Sequence, residues 1–172
     1  MLRSAKEIKG YVLQALDDEI GGCKDFLFDD RFWTIRYMVV DTGKWLPGRL
    51  VLVSPIALDE PNWQEERFPV RLTTQQIKEA PALDEAKPVS RQYEIEYYQY
   101  YGWPYYWGGM GAWGGLAYPG PLFEQTRQDD KTTEAGSGED HLRSIDEVRG
   151  YHIQATDDEI GHVEDFILDD AT

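Results

Sequence analysis

Short apolar runs bounded by turn-forming residues recur through the first eighty residues of the chain. Tyr11–Leu16 and Cys23–Phe28 flank Asp17-Asp18-Glu19-Ile20-Gly21, a composition that predicts two strands joined by a tight turn. Phe32–Val40 is aromatic and β-branched with Arg36 as its only charge, which predicts the strongest strand. Asp41-Thr42-Gly43-Lys44 and Leu46-Pro47-Gly48 read as turns, and Arg49–Val53 as a further strand. Phe68–Leu72 reads as a last short strand, placed at an edge because Pro69 cannot donate to a ladder. Thr73-x-x-Gln76 opens a short helix that Pro81 ends. Five or six short strands in so little chain predict a mainly β fold, a small antiparallel barrel or sandwich, with a core from Val12, Phe26, Trp33, Ile35, Val39, Leu50 and Leu52 or their strand neighbours.

The pattern then repeats. Leu2–Asp30 (LRSAKEIKGYVLQALDDEIGGCKDFLFDD) and Leu142–Asp170 (LRSIDEVRGYHIQATDDEIGHVEDFILDD) align without a gap at an offset of 140, with 17 of 29 positions identical. Both carry a capping signature, Ser4-x-x-Glu7 and Ser144-x-x-Glu147, predicting a single helical turn that closes at Gly10 or Gly150. The second copy has no counterpart to Trp33–Ala80. The division expected is therefore a barrel over 1–80, an intervening segment over 81–141 and an incomplete second barrel copy over 142–172, as in a shortened form of a two-copy protein. A two-stranded hairpin alone is marginal in water. Its apolar positions Val148, Ile153, Val163, Phe166 and Ile167 leave three alternatives: disorder, docking on the same chain's barrel or, favoured here, pairing with a second chain in a homodimer.

Between the copies, Ala82–Ser90 reads as a linker. Tyr93, Tyr97, Tyr100 and Tyr101 then share one face of a helix that Gly102 and Pro104 stop. Residues 93–118 hold eleven Tyr or Trp and six Gly, so Tyr97, Tyr100, Tyr101, Trp103, Trp107 and Trp113 are the candidate interaction residues, set against a simpler expectation that the helical tyrosines dock on the barrel. Gln125–Asp140 is polar and acidic and reads as a flexible linker.

Charge narrows the function. The formal charge of −15 is concentrated late: residues 142–172 hold two basic and nine acidic groups. Such a chain offers no basic footprint for nucleic acid, and an anionic membrane would repel it. No apolar run is long enough to span a membrane, no signal peptide is visible at Met1–Glu7, and one cysteine, Cys23, fits a reducing compartment, so a cytoplasmic location is expected. All three histidines, His141, His152 and His162, lie in or beside the second copy, so the complete repeat has no histidine base, and no catalytic residue is assigned. Cys23 stands where the second copy has Val163, which marks it as a core position. Asp17, Asp18 and Glu19, repeated as Asp157, Asp158 and Glu159, are the carboxylates a cation would use. They lack EF-hand spacing, His152 and His162 lack a third zinc ligand, and no metal or cofactor is expected.

The order LRSAKEIKGYVLQALDDEIGGCKDFLFDD, FWTIRYMVVDTGKWLPGRLVLVSP, FPVRLTTQQIKEAP resembles the PRC-barrel family, named for the cytoplasmic domain of the photosynthetic reaction-centre H subunit. The tail PVSRQYEIEYYQYYGWPYYWGG resembles the segment after the first barrel in free-standing bacterial two-copy members. The resemblance implies a small barrel used for assembly and binding of protein partners, without catalytic residues. Two alternatives stand beside it: a small-ligand or ion-sensing module using the acidic turns or an inter-barrel cleft and, by the resemblance to the H subunit, an accessory factor of a reaction-centre-like membrane complex reached peripherally through a partner. The chain departs from the H subunit in lacking its transmembrane helix.

Overall fold

Each repeat opens the same way because its opening is locally encoded. In the computed structural model, which describes residues 1–43, 45–84, 87–125 and 141–169, strand β1 (Leu2–Ser4) leads into the single-turn helix α1 (Ala5–Ile8). The Glu7 amide donates to the Ser4 hydroxyl at 3.3 Å, satisfying an N–H that a helix start leaves orphaned. Gly10 then takes φ +89°, a left-handed exit that a side chain resists. Strands β2 (Val12–Gln14) and β3 (Glu19–Asp29) form a hairpin whose register shifts between Leu13 and Gln14.

The longest ladder joins β3 to β4 (Thr34–Asp41), and β4 continues antiparallel to β5 (Leu50–Val53). Strand β6 (Arg67–Pro69) lies outside β2 and runs parallel to it, giving the order β5-β4-β3-β2-β6. Pro69 does sit on an edge strand, but that strand is parallel, which departs from the all-antiparallel expectation. A twelve-residue 3₁₀ and turn segment between Ser54 and Arg67 reverses the chain before it returns. Helix α2 (Thr74–Glu79) starts with the expected capping box, in which Thr73 and Gln76 exchange side-chain and backbone bonds.

Arg36 through Val40 are all buried, so β4 is covered on both faces and reads as a continuous rather than an alternating apolar run. Helix α3 (Arg91–Tyr101) covers it, laying the Tyr97 ring edge-on against Tyr37 at 5.3 Å. Phe26, Val39 and Leu52 are core residues as expected, while Val12, Ile35 and Leu50 are half-buried. Trp33 is not in the core: it is 70% exposed, with φ +54°, in the turn before β4. That turn is held by the Asp29 carboxylate, which accepts from the amides of Arg31 (2.9 Å) and Phe32 (3.3 Å), so the strand starts two residues later than its aromatic run suggested.

The second repeat rebuilds the same local elements: β7 (Leu142–Ser144), α4 (Ile145–Val148), β8 (His152–Gln154), β9 (Glu159–His162) and β10 (Ile167–Asp169). Its hairpin has the first repeat's register shift, and Gly150 has φ +88° against +89° at Gly10. The two repeats also exchange strands. Strand β1 pairs with β10, Leu2 opposite Asp169, while β7 pairs with the end of β3, Leu142 opposite Asp29. These pairings are the same in repeat numbering, with the roles reversed. Their helix caps are exchanged likewise: Asp165 accepts from the Ser4 hydroxyl and the Lys6 amide, and Asp25 accepts from the Ser144 hydroxyl and the Asp146 amide. Within one chain, the second repeat therefore docks on the first. The linker expected at Gln125–Asp140 lies, from residue 126 onward, outside the described residues.

Candidate functional site

Two parts of the molecule carry the unusual chemistry: the aromatic cap over β4 and the free edge of the second repeat. Ser90 caps α3 through the Tyr93 amide, and Gly102, at φ +71°, ends it in a left-handed turn. The chain then folds back, so α3 is covered on more than the one tyrosine face its periodicity suggested. Tyr98 is fully buried with its ring 5.5 Å from Trp107 and 5.8 Å from Tyr106. The glycines permit this return, because a Cβ at Gly109 would stand 2.5 Å from the Gly114 carbonyl carbon.

Beneath the cap lies a buried ionic network. The Arg36 guanidinium, fully buried, donates to Asp29 Oδ2 at 3.0 Å and to the Ala112 carbonyl, and stacks 3.8 Å from the Tyr106 ring centre. The equally buried Glu94 accepts from the hydroxyls of Tyr106 (2.7 Å) and Tyr37 (3.2 Å), and its other oxygen lies 2.9 Å from Arg91 and 3.2 Å from His141. Burial would raise the Asp29 carboxyl, but the Arg31 amide and the Arg36 guanidinium outweigh it and hold it below the ordinary range. Burial, reinforced by the Glu94 charge, pushes the Tyr37 and Tyr106 hydroxyls far up, so both stay protonated donors. Each charge here is spent on a partner inside the fold, joining β3, β4, α3, the aromatic tract and the start of the second repeat.

The sequence-derived interaction residues divide accordingly. Tyr97, Trp103 and Trp113 are buried, Tyr101 and Trp107 are partly buried, and Tyr100 reaches the surface with its hydroxyl donating to the Gln76 carbonyl at 2.9 Å. Cys23 is buried, and desolvation, reinforced by Asp25, pushes its thiol up to about 12, leaving almost no thiolate at neutral pH. Of the acidic turn residues, Asp17 accepts from the Thr74 amide and hydroxyl (both 2.8 Å), Asp18 from the Glu19 amide, and Glu19 meets Arg67 at 2.6 Å. In the second repeat Asp158 accepts from the Glu159 amide and Glu159 meets His152, while Asp157 is exposed. Among the described residues no three His, Cys, Asp or Glu side chains converge to hold a metal ion.

The second repeat presents the other candidate surface. Leu13 and Ile20 are fully buried, yet their repeat equivalents Ile153 and Ile160 are 40% and 69% exposed, and Tyr151 and Ile167 are exposed beside them. Among the described residues strand β9 pairs only with β8, and β10 only with β1, and no described strand lies on the side that β3 gives to β4. A cleft of about 540 Å³ adjoins β10, lined by Trp33, Trp63, Trp113 and Ile167, with Arg3 stacked 4.3 Å over Trp63 and its Nε buried without a hydrogen-bond partner. Sequence reasoning missed Asp25 and Asp165, although their identity across the repeats, like that of Ser4 and Ser144, was the available signal. Among the described residues no helix is long and apolar enough to cross a membrane. Compared with known protein families and with characterised proteins, the chain matches none.

Proposed function

We propose that the chain is a non-enzymatic assembly module of the PRC-barrel kind, which uses its second repeat to engage a protein partner. One observation carries the reading: positions buried in the first repeat are exposed in the second, Ile160 most of all. Exposed apolar side chains on an unpaired strand edge are costly to leave in water and are the usual mark of a contact surface. The absence of catalysis is part of the proposal, supported by the inward commitment of Arg36, Asp29 and Glu94 and by the protonated Cys23 thiol. A photo-cross-linking side chain at Ile160 should form a discrete protein adduct in cells, and the same group at the exposed Lys24 should not. Equal labelling from both positions, or none from Ile160, would contradict the reading.

A second reading, a small-ligand-binding module, is favoured by the apolar cleft and the unpartnered Arg3 Nε. An apolar carboxylate that fills the cleft should raise the melting temperature of the wild type and not of Arg3→Gln, because only native-state binding stabilises.

A further inference from the structure

We propose that the cleft between the Asp29–Phe32 turn and the aromatic tract binds a small aromatic carboxylate. Its carboxylate pairs with Arg31 and its ring packs against Phe32, Trp107 and Met110. This cleft is separate from the one beside Arg3, and the inference goes beyond the assembly reading without resting on it.

The cleft encloses about 520 Å³, within the usual range for a small-molecule site, and Asp29, Arg91 and His141 join those four residues in lining it. Its walls are held from within the fold. Asp29 Oδ1 accepts from the Arg31 and Phe32 amides at 2.9 and 3.3 Å, which fixes the turn that carries both side chains. Trp107 stacks 4.7 Å from Tyr105 and stands edge-on to Tyr98 at 5.5 Å, while Arg91, paired with Glu94 at 2.9 Å, lies 4.1 Å over the Trp107 ring. Groups already ordered in this way lose little freedom when a ligand arrives.

Charge selects a monoanion. Asp29 is matched by Arg36 and Glu94 by Arg91. Arg31 is the cation left over: among the described residues its guanidinium meets no carboxylate or other acceptor, and it rests 5.1 Å over the Phe32 ring. The chain has 32 acidic residues to 17 basic ones, so the missing partner is not for want of carboxylates. One unmatched guanidinium suits one negative charge, and a protein of net charge −15 repels a ligand that carries several.

The surroundings select a flat body. With one face on a ring, Arg31 offers its N–H edge, which a carboxylate meets in plane through parallel hydrogen bonds. Phe32 is 39% and Met110 99% exposed, so apolar surface lies open beside that edge, and the Met110 thioether adapts to ring edges.

Calorimetric titration of the full chain with naphthoate tests the assignment. Naphthoate should bind one to one and raise the melting temperature. Naphthamide keeps the ring without the charge, and cyclohexanecarboxylate keeps the charge without the flat ring; each should bind about tenfold more weakly or worse. Arg31→Gln should weaken naphthoate about tenfold and leave the melting temperature of the free protein unchanged, because the side chain is exposed. Arg3→Gln should leave naphthoate binding as it is. Absence of binding, equal binding of the amide, or full affinity in Arg31→Gln would overturn the inference. So would a loss confined to Arg3→Gln, which would place the ligand in the other cleft and favour the second reading above. Cross-linking at Ile160 reports on neither cleft, so failure of the assembly reading and failure of this inference are told apart.

Discussion

The two repeats share seventeen of twenty-nine residues and reach different ends. Caps, glycine turns and the bulged hairpin are the same in both: Gly10 donates to the Cys23 carbonyl at 2.8 Å and Gly150 to the Val163 carbonyl at 2.9 Å, while Ala15 and Ala155 each close the turn on Asp18 and Asp158. Strand length and burial are not the same. Ile20 is fully buried and Ile160 faces solvent. Local sequence is sufficient for the pieces that satisfy their own backbone within a few residues, and a long strand exists only where a neighbour satisfies its edge.

Matched substitutions give the comparison its largest readout. Ile20→Ala should cost about 2–5 kcal/mol in urea unfolding, from lost transfer energy and a cavity. Ile160→Ala should stay within about 0.5 kcal/mol, as surface changes do. Equal costs would mean that the second hairpin is buried in solution, and the contrast between the repeats would be gone.

The caps should behave alike. Ser4→Ala and Ser144→Ala each remove the acceptor for one helix-start amide, and each should cost about 1 kcal/mol in the same assay. A silent Ser144→Ala beside a costly Ser4→Ala would show that the second repeat does not dock in the exchanged arrangement.

The smallest effect is electrostatic and separates the two exchanged caps. Burial pushes the Asp25 carboxyl above its ordinary 3.8, only partly opposed by the Ser144 hydroxyl. Asp165 is more open, and its slight burial is outweighed by bonds from the Ser4 hydroxyl and the Phe166 and Lys6 amides, which lower it. Carbon-detected NMR titration should therefore find Asp25 above and Asp165 below the ordinary value. By linkage, Asp165 stabilises the fold above the ordinary carboxyl range, and that contribution disappears as pH falls through its lowered pKa. Asp25 acts in the other direction, its ionised form being penalised above its raised pKa and the penalty relieved on acidification. Coincident titrations would remove the distinction in burial between the two caps.

Much of this was legible in the sequence where the determinants are short-range. The Thr73–Gln76 capping box, the Gly102 helix stop and the paired helical turns follow from side chains reaching backbone groups three residues away. Pro69 marked an edge because its missing N–H excludes a central strand, but nothing local distinguishes parallel from antiparallel pairing to β2. Trp33 misled because an aromatic beside a strand looks like strand, and the Asp29 carboxylate that turns the chain there acts across a gap no periodicity records. The Arg36–Glu94 network was invisible for a related reason: its members come from five segments, and isolated charges in a sequence ordinarily mean solvent. The exchange of β1 and β7 required only the repeat, yet which chain receives each strand is decided by geometry across the whole molecule.

Native-state hydrogen exchange measures the central claim, that a β4 neighbour is what turns this repeat's second hairpin strand into a long, sealed one. In the free full-length chain, amides over 159–169 should exchange at least about a hundredfold faster, as a group, than their equivalents over 19–29, because edges without a partner open locally. Protection of the two stretches within about tenfold of each other would contradict the account, since the strand with a β4 neighbour and the strand without one would then be equally sealed.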